Sequence, residues 1–279
     1  ILFSDILVIP LALGQKLEFI ENEGPILGDL PCINKLIDCD LNVCIQNISQ
    51  VFETIEILEG KKQQKKLIGF CGGPFTVMNY MIERGTSKTH QKILKFIREY
   101  PKRSERLLKV IQEISLLYLL RQIKSGVDLI KIFDSWAGIL SKKEYEKYVI
   151  KPSVYINEKL KQEYPSIPRI FFPRGSGKNI ISFIDQVDCN VLAVDEKYPQ
   201  QLKEIARKKN IILQGNLNPT ILAEGGERMK RKIKQILFDF KKNKHIFNLS
   251  HGVLPNTPIV NVSTAIEIVR EYESNKRTS

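Results

Sequence analysis

Short apolar runs of β type recur along this chain, separated by segments of helical periodicity, and that alternation constrains the fold more than any other feature. The runs are LIGFC (67–71), VDLIKIF (127–133), RIFF (169–172), NVLAV (190–194), IILQ (211–214) and HIFNL (245–249). The clearest helical segments are RSERLLKVIQEISLLYLLRQIKSG (103–126), a stretch opening at Ser141 whose S-x-x-E start with Glu144 is a capping box, and a last one from Val260 to Glu273. Strand, helix and strand in repetition require right-handed crossovers and so a parallel sheet.

Two parallel architectures compete, an open doubly wound sheet and a closed barrel. No G-x-G-x-x-G follows the first strand, and with ILFSDILVIP (1–10) taken as a strand the count is seven, one short of eight. The expectation is an α/β fold, a (β/α)8 TIM barrel lacking its first unit, with residues 1–279 forming one domain. The stretch from Gly14 to Lys66 is expected to be a loop insertion on the catalytic face, with one helix near 44–58.

Composition narrows the class. The 279 residues are 43% hydrophobic, enough for a sizeable core. No apolar run approaches the ~20 residues that cross a bilayer, and no signal-peptide pattern is visible. Five cysteines, an odd number without a C-x-x-C pair, indicate neither a disulfide framework nor a zinc ribbon. A soluble, cytoplasmic protein is expected. The 43 Lys and Arg against 31 Asp and Glu give a net charge of +12, which suits an acidic partner. Much of the excess lies in KKQQKK (61–66) and in RMKRKIKQILFDFKKNK (228–244), where Ile233, Ile236, Leu237 and Phe240 follow helical spacing. The second therefore reads as an amphipathic helix with its basic face to water, and no nucleic-acid motif accompanies it.

A barrel places its chemistry at the C-terminal ends of the strands. Those ends are Gly72-Gly73-Pro74, Asp134-Ser135, Pro173-Arg174-Gly175-Ser176-Gly177, Asp195, Gly215-Asn216 and Ser250-His251-Gly252. Singly, each also serves as ordinary turn punctuation or as a helix cap. Their coincidence on one rim marks a candidate site.

GFCGGPFTVMNYMIERG (69–85), KIFDSWAG (131–138), FFPRGSG (171–177), LQGNLNP (213–219) and NLSHGVLPNTP (248–258), with FSDILVIPLALG (3–14) and ENEGPIL (21–27), resemble in order the signatures of the uroporphyrinogen decarboxylase family. The resemblance implies a (β/α)8 barrel working as a homodimer without metal or organic cofactor. It implies removal of the four acetate carboxyl groups of uroporphyrinogen III, giving coproporphyrinogen III in tetrapyrrole synthesis, with no nucleic-acid or membrane partner. Asp5 matches the family aspartate that accepts hydrogen bonds from the pyrrole N–H groups. A fixed anion there stabilises the cation that forms when a pyrrole is protonated to act as electron sink. Tyr80 matches a tyrosine near that aspartate and the reacting acetate. Ser135 and His251 match residues at substrate carboxylates, and Arg174 could pair with a carboxylate through its guanidinium fork. His90 and His245 are expected in an ordinary helix and strand.

Four positions depart from the pattern: Phe75 stands for Trp, Asn218 for Asp, Ser250 for Gly and Ser176 for Ala. A corrinoid-dependent methyltransferase of the same superfamily is the alternative. It would hold zinc through H-x-C and a distant Cys, whereas His251 is followed by Gly252 and Val253. A noncatalytic polyanion-binding barrel is the other alternative. The R-Q-A-G-R-Y motif that precedes F-S-D-I in the family is not within residues 1–279. This span alone is accordingly expected to be N-terminally incomplete, poorly soluble and inactive.

Overall fold

The chain's first described element is a helix, α1 (Val8–Ala12), where a strand is expected. A continuous apolar run does not distinguish a buried strand from a buried helix. Pro10, inside the run, disfavours a central strand and is tolerated in the first turn of a helix. The structure, a computed structural model, describes residue 1, residues 6–20 and residues 24–278. Asp5 therefore lies outside the described residues.

The stretch 14–66 is more regular than expected. It holds an antiparallel hairpin, β1 (Leu17–Ile20) with β2 (Gly24–Leu27), and the helices α2 (Ile33–Ile37), α3 (Leu41–Gln46) and α4 (Ser49–Glu59). Gln15 ties this segment to the body, its buried amide donating to the carbonyls of Gly28 and Met81 at 3.0 and 3.1 Å. The helix expected near 44–58 corresponds to α4 and the end of α3.

The alternation then proceeds as the apolar runs predict. β3 (Ile68–Gly72) leads through α5 (Pro74–Glu83), α6 (Gln91–Glu99) and α7 (Pro101–Lys124) to β4 (Leu129–Asp134). From β4, α8 (Lys142–Tyr145), a π-helical turn at Glu146–Ile150 and α9 (Lys151–Glu163) lead to β5 (Arg169–Pro173). Next come α10 (Asn179–Gln186), β6 (Val191–Ala193), α11 (Gln201–Lys208) and β7 (Ile212–Leu217). The chain continues through α12 (Pro219–Glu224), α13 (Gly226–Asp239), β8 (His245–Leu249) and α14 (Ile259–Thr278). Strands β3 to β8 form one parallel sheet in chain order, so six of the seven expected strands are present among the described residues.

Strands β3 to β7 are largely buried on both faces, whereas β8, at the end of the sheet, exposes Ile246 and Asn248. Ile130, Ile132, Phe171, Leu192 and Leu213 face the helices in the main core, where α7 contributes Leu107, Ile111, Ile114 and Leu119. The opposite face carries a separate small cluster of Ile170, Phe172, Val191 and Ala193, bordered by Leu129, Phe133 and Ile212. On that face Lys131 of β4 donates to Gln214 of β7 across two intervening strands, at 2.6 Å. Side chains stand off a sheet roughly at right angles, so this bond requires the face to be concave. The sheet is the curled wall of a β/α barrel, and the small cluster lines its lumen.

Candidate active site

The rim is built by consecutive strand ends holding one another in place. Gly73, next after β3, donates its N–H to the Phe133 carbonyl at 2.8 Å and caps α5, which begins with Pro at its first position. Asp134, the last residue of β4, turns outward. Its Oδ1 accepts from the Thr76 N–H at 3.1 Å and the Thr76 hydroxyl at 2.5 Å. Glycine is required beside it, since a Cβ on Gly73 would lie 2.5 Å from the Asp134 carboxyl carbon. Burial pushes the Asp134 carboxyl up to about 7, against the pull of Thr76. Asp134 thus anchors the β4 turn to α5 rather than facing the lumen.

The β4 and β5 loops interlock. Arg174 N–H donates to the Asp134 carbonyl at 3.1 Å, and a Cβ on Gly138 would lie 2.4 Å from the Gly175 carbonyl oxygen. The Ser176 hydroxyl donates to the Pro173 carbonyl and meets the Tyr145 hydroxyl at 2.7 Å. The β6 loop joins through Asp195, which accepts from the Gly175 N–H at 2.8 Å. The β7 loop joins through Asn216, whose amide donates to the carbonyls of Asp195 and Glu196 at 2.9 and 3.2 Å. Ser250 closes the sequence, its N–H donating to the Leu217 carbonyl at 2.8 Å.

Three of the five expected site residues, Ser135, Arg174 and His251, follow strand ends on this rim, and a fourth, Tyr80, lies on α5 beside the β4 turn. Tyr80, on α5, is partly buried, with its ring 6.4 Å from that of Trp136 in the β4 turn next to Ser135. Arg174 follows β5 and His251 follows β8. Burial of the imidazole, helped by the nearby Arg174 charge, holds His251 below the ordinary histidine range. Arg174 also acts on Asp195, whose carboxyl is nevertheless raised by burial. None of the Tyr80, Ser135, Arg174 or His251 side chains makes a hydrogen bond or ion pair with another described residue. Among the described residues a cation, an imidazole and the Ser135 hydroxyl thus follow the strand ends without a side-chain partner, with the Tyr80 hydroxyl on α5, a set suited to binding carboxylates. Among the described residues no group of three or more His, Cys, Asp or Glu could hold a metal ion.

The other two histidines are structural. His245 is on β8 as expected, its Nε2 2.7 Å from the Gly215 carbonyl and its ring stacked on Phe240 at 4.1 Å. His90 is not within a helix. It precedes α6 in a left-handed conformation, with Nδ1 2.9 Å from Asn79 Oδ1 and its ring 4.4 Å from Trp136. Lys131 was not singled out by its sequence context, although a lone charge within L-I-K-I-F raises the same question as Asp5 within its apolar run.

Residues 1–272 match the family described as uroporphyrinogen decarboxylase (URO-D). The chain is 40% identical over 282 residues to the uroporphyrinogen decarboxylase of Rickettsia rickettsii (strain Sheila Smith), covering 100% of this chain and 80% of that protein. With the uroporphyrinogen decarboxylase of Orientia tsutsugamushi (strain Boryong) the identity is 39% over 290 residues, covering 99% and 80%. A methyltransferase from Methanosarcina mazei superposes with a TM-score of 0.77 at 19% identity, covering 98% of this chain and 80% of that one. At that identity the likeness is one of fold.

Proposed function

The chain belongs to the uroporphyrinogen decarboxylase family, and on that premise we propose that it converts uroporphyrinogen III to coproporphyrinogen III in the cytoplasm, as a homodimer. For each acetate the C–C bond to the carboxylate breaks, CO2 leaves, and the electron pair passes to the protonated pyrrole. A proton then adds at the methylene to give the methyl group, so one proton is consumed for each CO2 released. The pyrrole is the electron sink, and the scheme calls for no metal or organic cofactor.

The observation that carries this reading is a set of groups without a side-chain partner among the described residues: Ser135, Arg174 and His251 at strand ends, and Tyr80 on α5 beside the β4 turn. Arg174 and His251 suit the substrate's carboxylates, and Ser135 a further carboxylate oxygen. Tyr80 is assigned to the reacting acetate, and Asp5 to the ring N–H groups and the charge that develops on them. Val253 stands where a zinc-holding H-x-C pair would need cysteine, which favours the decarboxylase over a methyltransferase.

The test is anaerobic incubation of uroporphyrinogen III with the protein as its reading frame encodes it, before and after dialysis against a strong chelator. Products are oxidised to porphyrins and separated with fluorescence detection. Coproporphyrin III is expected in both samples. Recovery of uroporphyrin alone from a folded protein, with neither coproporphyrin nor any intermediate, overturns the proposal, and loss of activity only after dialysis overturns the cofactor-free scheme.

A further inference from the structure

Among the described residues, Lys131 is a buried cation without a buried anion. It is 7% exposed, and its side chain lies on the lumen face of β4. Its Nζ is 2.6 Å from Gln214 Oε1, 4.7 Å from the centre of the Phe133 ring and 5.7 Å from that of Phe172. An ammonium has three N–H donors, and the one hydrogen-bond acceptor supplied by the described residues is neutral. Buried charges are ordinarily paired, because desolvating an unpaired ion is costly and aromatic faces offset only part of that cost.

The surroundings sharpen the point. The lumen-facing neighbours are Phe70 of β3, Ile170 and Phe172 of β5, Val191 and Ala193 of β6, Gln214 of β7, and Ile246 and Asn248 of β8, none of them titratable or charged. The backbone of Lys131 lies level with Ile170, Val191 and Ile212. Its amine reaches the next layer, that of Phe133, Phe172, Ala193 and Gln214, directly beneath the rim. The charge is carried towards the mouth. Ile246, level with Gln214, lies on β8 at the end of the described sheet.

We propose that Lys131 is a substrate-binding residue: its ammonium, oriented by Gln214, receives one carboxylate of the polycarboxylate substrate at the floor of the cleft. This rests on the decarboxylase reading and adds to it a deep anion subsite beneath the rim groups. It also gives the buried amine an anion that no described residue supplies. Burial pushes the amine down to about 8, so its charged form is held below that pH and lost above it, within the range where an enzyme can be assayed.

The test compares Lys131→Met, which keeps the volume and removes the charge, with the wild type, both as the reading frame encodes them. KM and kcat for uroporphyrinogen III are measured from pH 7 to 9, with thermal unfolding alongside. A charge-assisted contact predicts a KM at pH 7 about tenfold higher in the variant, with kcat changed far less. In the wild type KM rises between pH 7 and 9, where the substrate carboxylates do not titrate. In the variant KM is flat over that range. A purely structural lysine would lower the unfolding temperature without producing this difference in profile. A variant KM within twofold of wild type overturns the proposal. If the variant does not fold, a wild-type KM that is flat from pH 7 to 9 overturns it instead. If the wild type itself makes no coproporphyrinogen, the decarboxylase reading has failed. Lys131 is then judged by the binding of uroporphyrin III, whose affinity falls above pH 8 if the subsite exists and stays constant if it does not.

Discussion

His245 shows how one side chain couples the barrel to pH. Its Nε2–H donates to the Gly215 carbonyl and its ring stacks on Phe240, so burial keeps it neutral and depresses its pKa to about 4. In the unfolded chain a histidine takes up its proton near ~6.5. Its contribution to stability is therefore complete above that pH and is lost as pH falls towards 4. Thermal unfolding followed by circular dichroism should show the melting temperature falling over this window. His245→Gln, which can still donate to Gly215, should be less stable at pH 7 yet lose less on acidification. Equal slopes for the two proteins would remove His245 from the acid response. Asp134 acts in the opposite direction, since its raised pKa weakens the fold as pH climbs from about 4 to about 7, and the comparison of slopes isolates the histidine. The departures from the family pattern are also matters of single contacts. Ser176 offers its hydroxyl to Tyr145, and Phe75 is fully buried in the core, its ring 6.2 Å from that of Tyr148. Asn218 caps α12 through the Thr220 N–H and donates to Glu196 Oε2 at 2.7 Å, a bond that an ionised Asp could not make. Ser250 replaces Gly without a contact that explains its side chain.

At the scale of elements, the capping box at Ser141 is where local sequence and local structure agree most closely. The Ser141 hydroxyl faces the Glu144 N–H, while the Glu144 carboxylate accepts from the Ser141 N–H at 2.9 Å and from Arg98 Nε at 2.8 Å. Ser141→Ala should cost about 1 kcal/mol, lowering the unfolding temperature by about 2–4 °C, as calorimetry would measure. An unchanged temperature would mean that Glu144 and Arg98 hold this helix start without the hydroxyl. The six lumen strands were equally legible, because strands buried on both faces are short continuous apolar runs and Gly, Pro or Asp punctuates most of their ends. The same property hid the element at Val8–Ala12, where Pro10 was the informative residue. It hid the hairpin too, whose four-residue strands are too short to show alternation, and two of the three helices between the hairpin and β3 are shorter than two turns. Ser135, Arg174 and His251 could be placed on the rim from strand ends and family motifs, and Tyr80 near them from its motif. Lys131 could not, since its partner Gln214 is 83 residues away and only the curl of the sheet joins them.

For the whole molecule, the curled sheet turns a diffuse surplus of charge into a directed one. Net charge is +12, and the mouth presents the Arg174 guanidinium above the buried ammonium of Lys131, beside a His251 imidazole whose pKa burial and Arg174 hold below the ordinary histidine range. Several exposed lysines are neutralised locally, such as Lys161 by Asp188 and Lys208 by Glu204, and pairs of that kind add little to the long-range field. Those at the mouth have no such partner among the described residues. A substrate with eight carboxylates approaching this opening is drawn in over a distance set by the Debye length, about 10 Å at 0.1 M salt and about 3 Å at 1 M. Capture should then weaken with ionic strength while the chemical step, shielded inside the cleft, should not. Steady-state assays from low to high salt should give kcat/KM for uroporphyrinogen falling severalfold at nearly constant kcat. Replacing Arg174 by Gln should flatten the salt dependence as well as lower kcat/KM, whereas replacing Lys230, which is paired with Glu227 on α13, should leave the slope unchanged. A salt-independent kcat/KM, or equal slopes for the two variants, would show that the positive charge of this protein is ordinary surface and that the mouth does not steer its substrate.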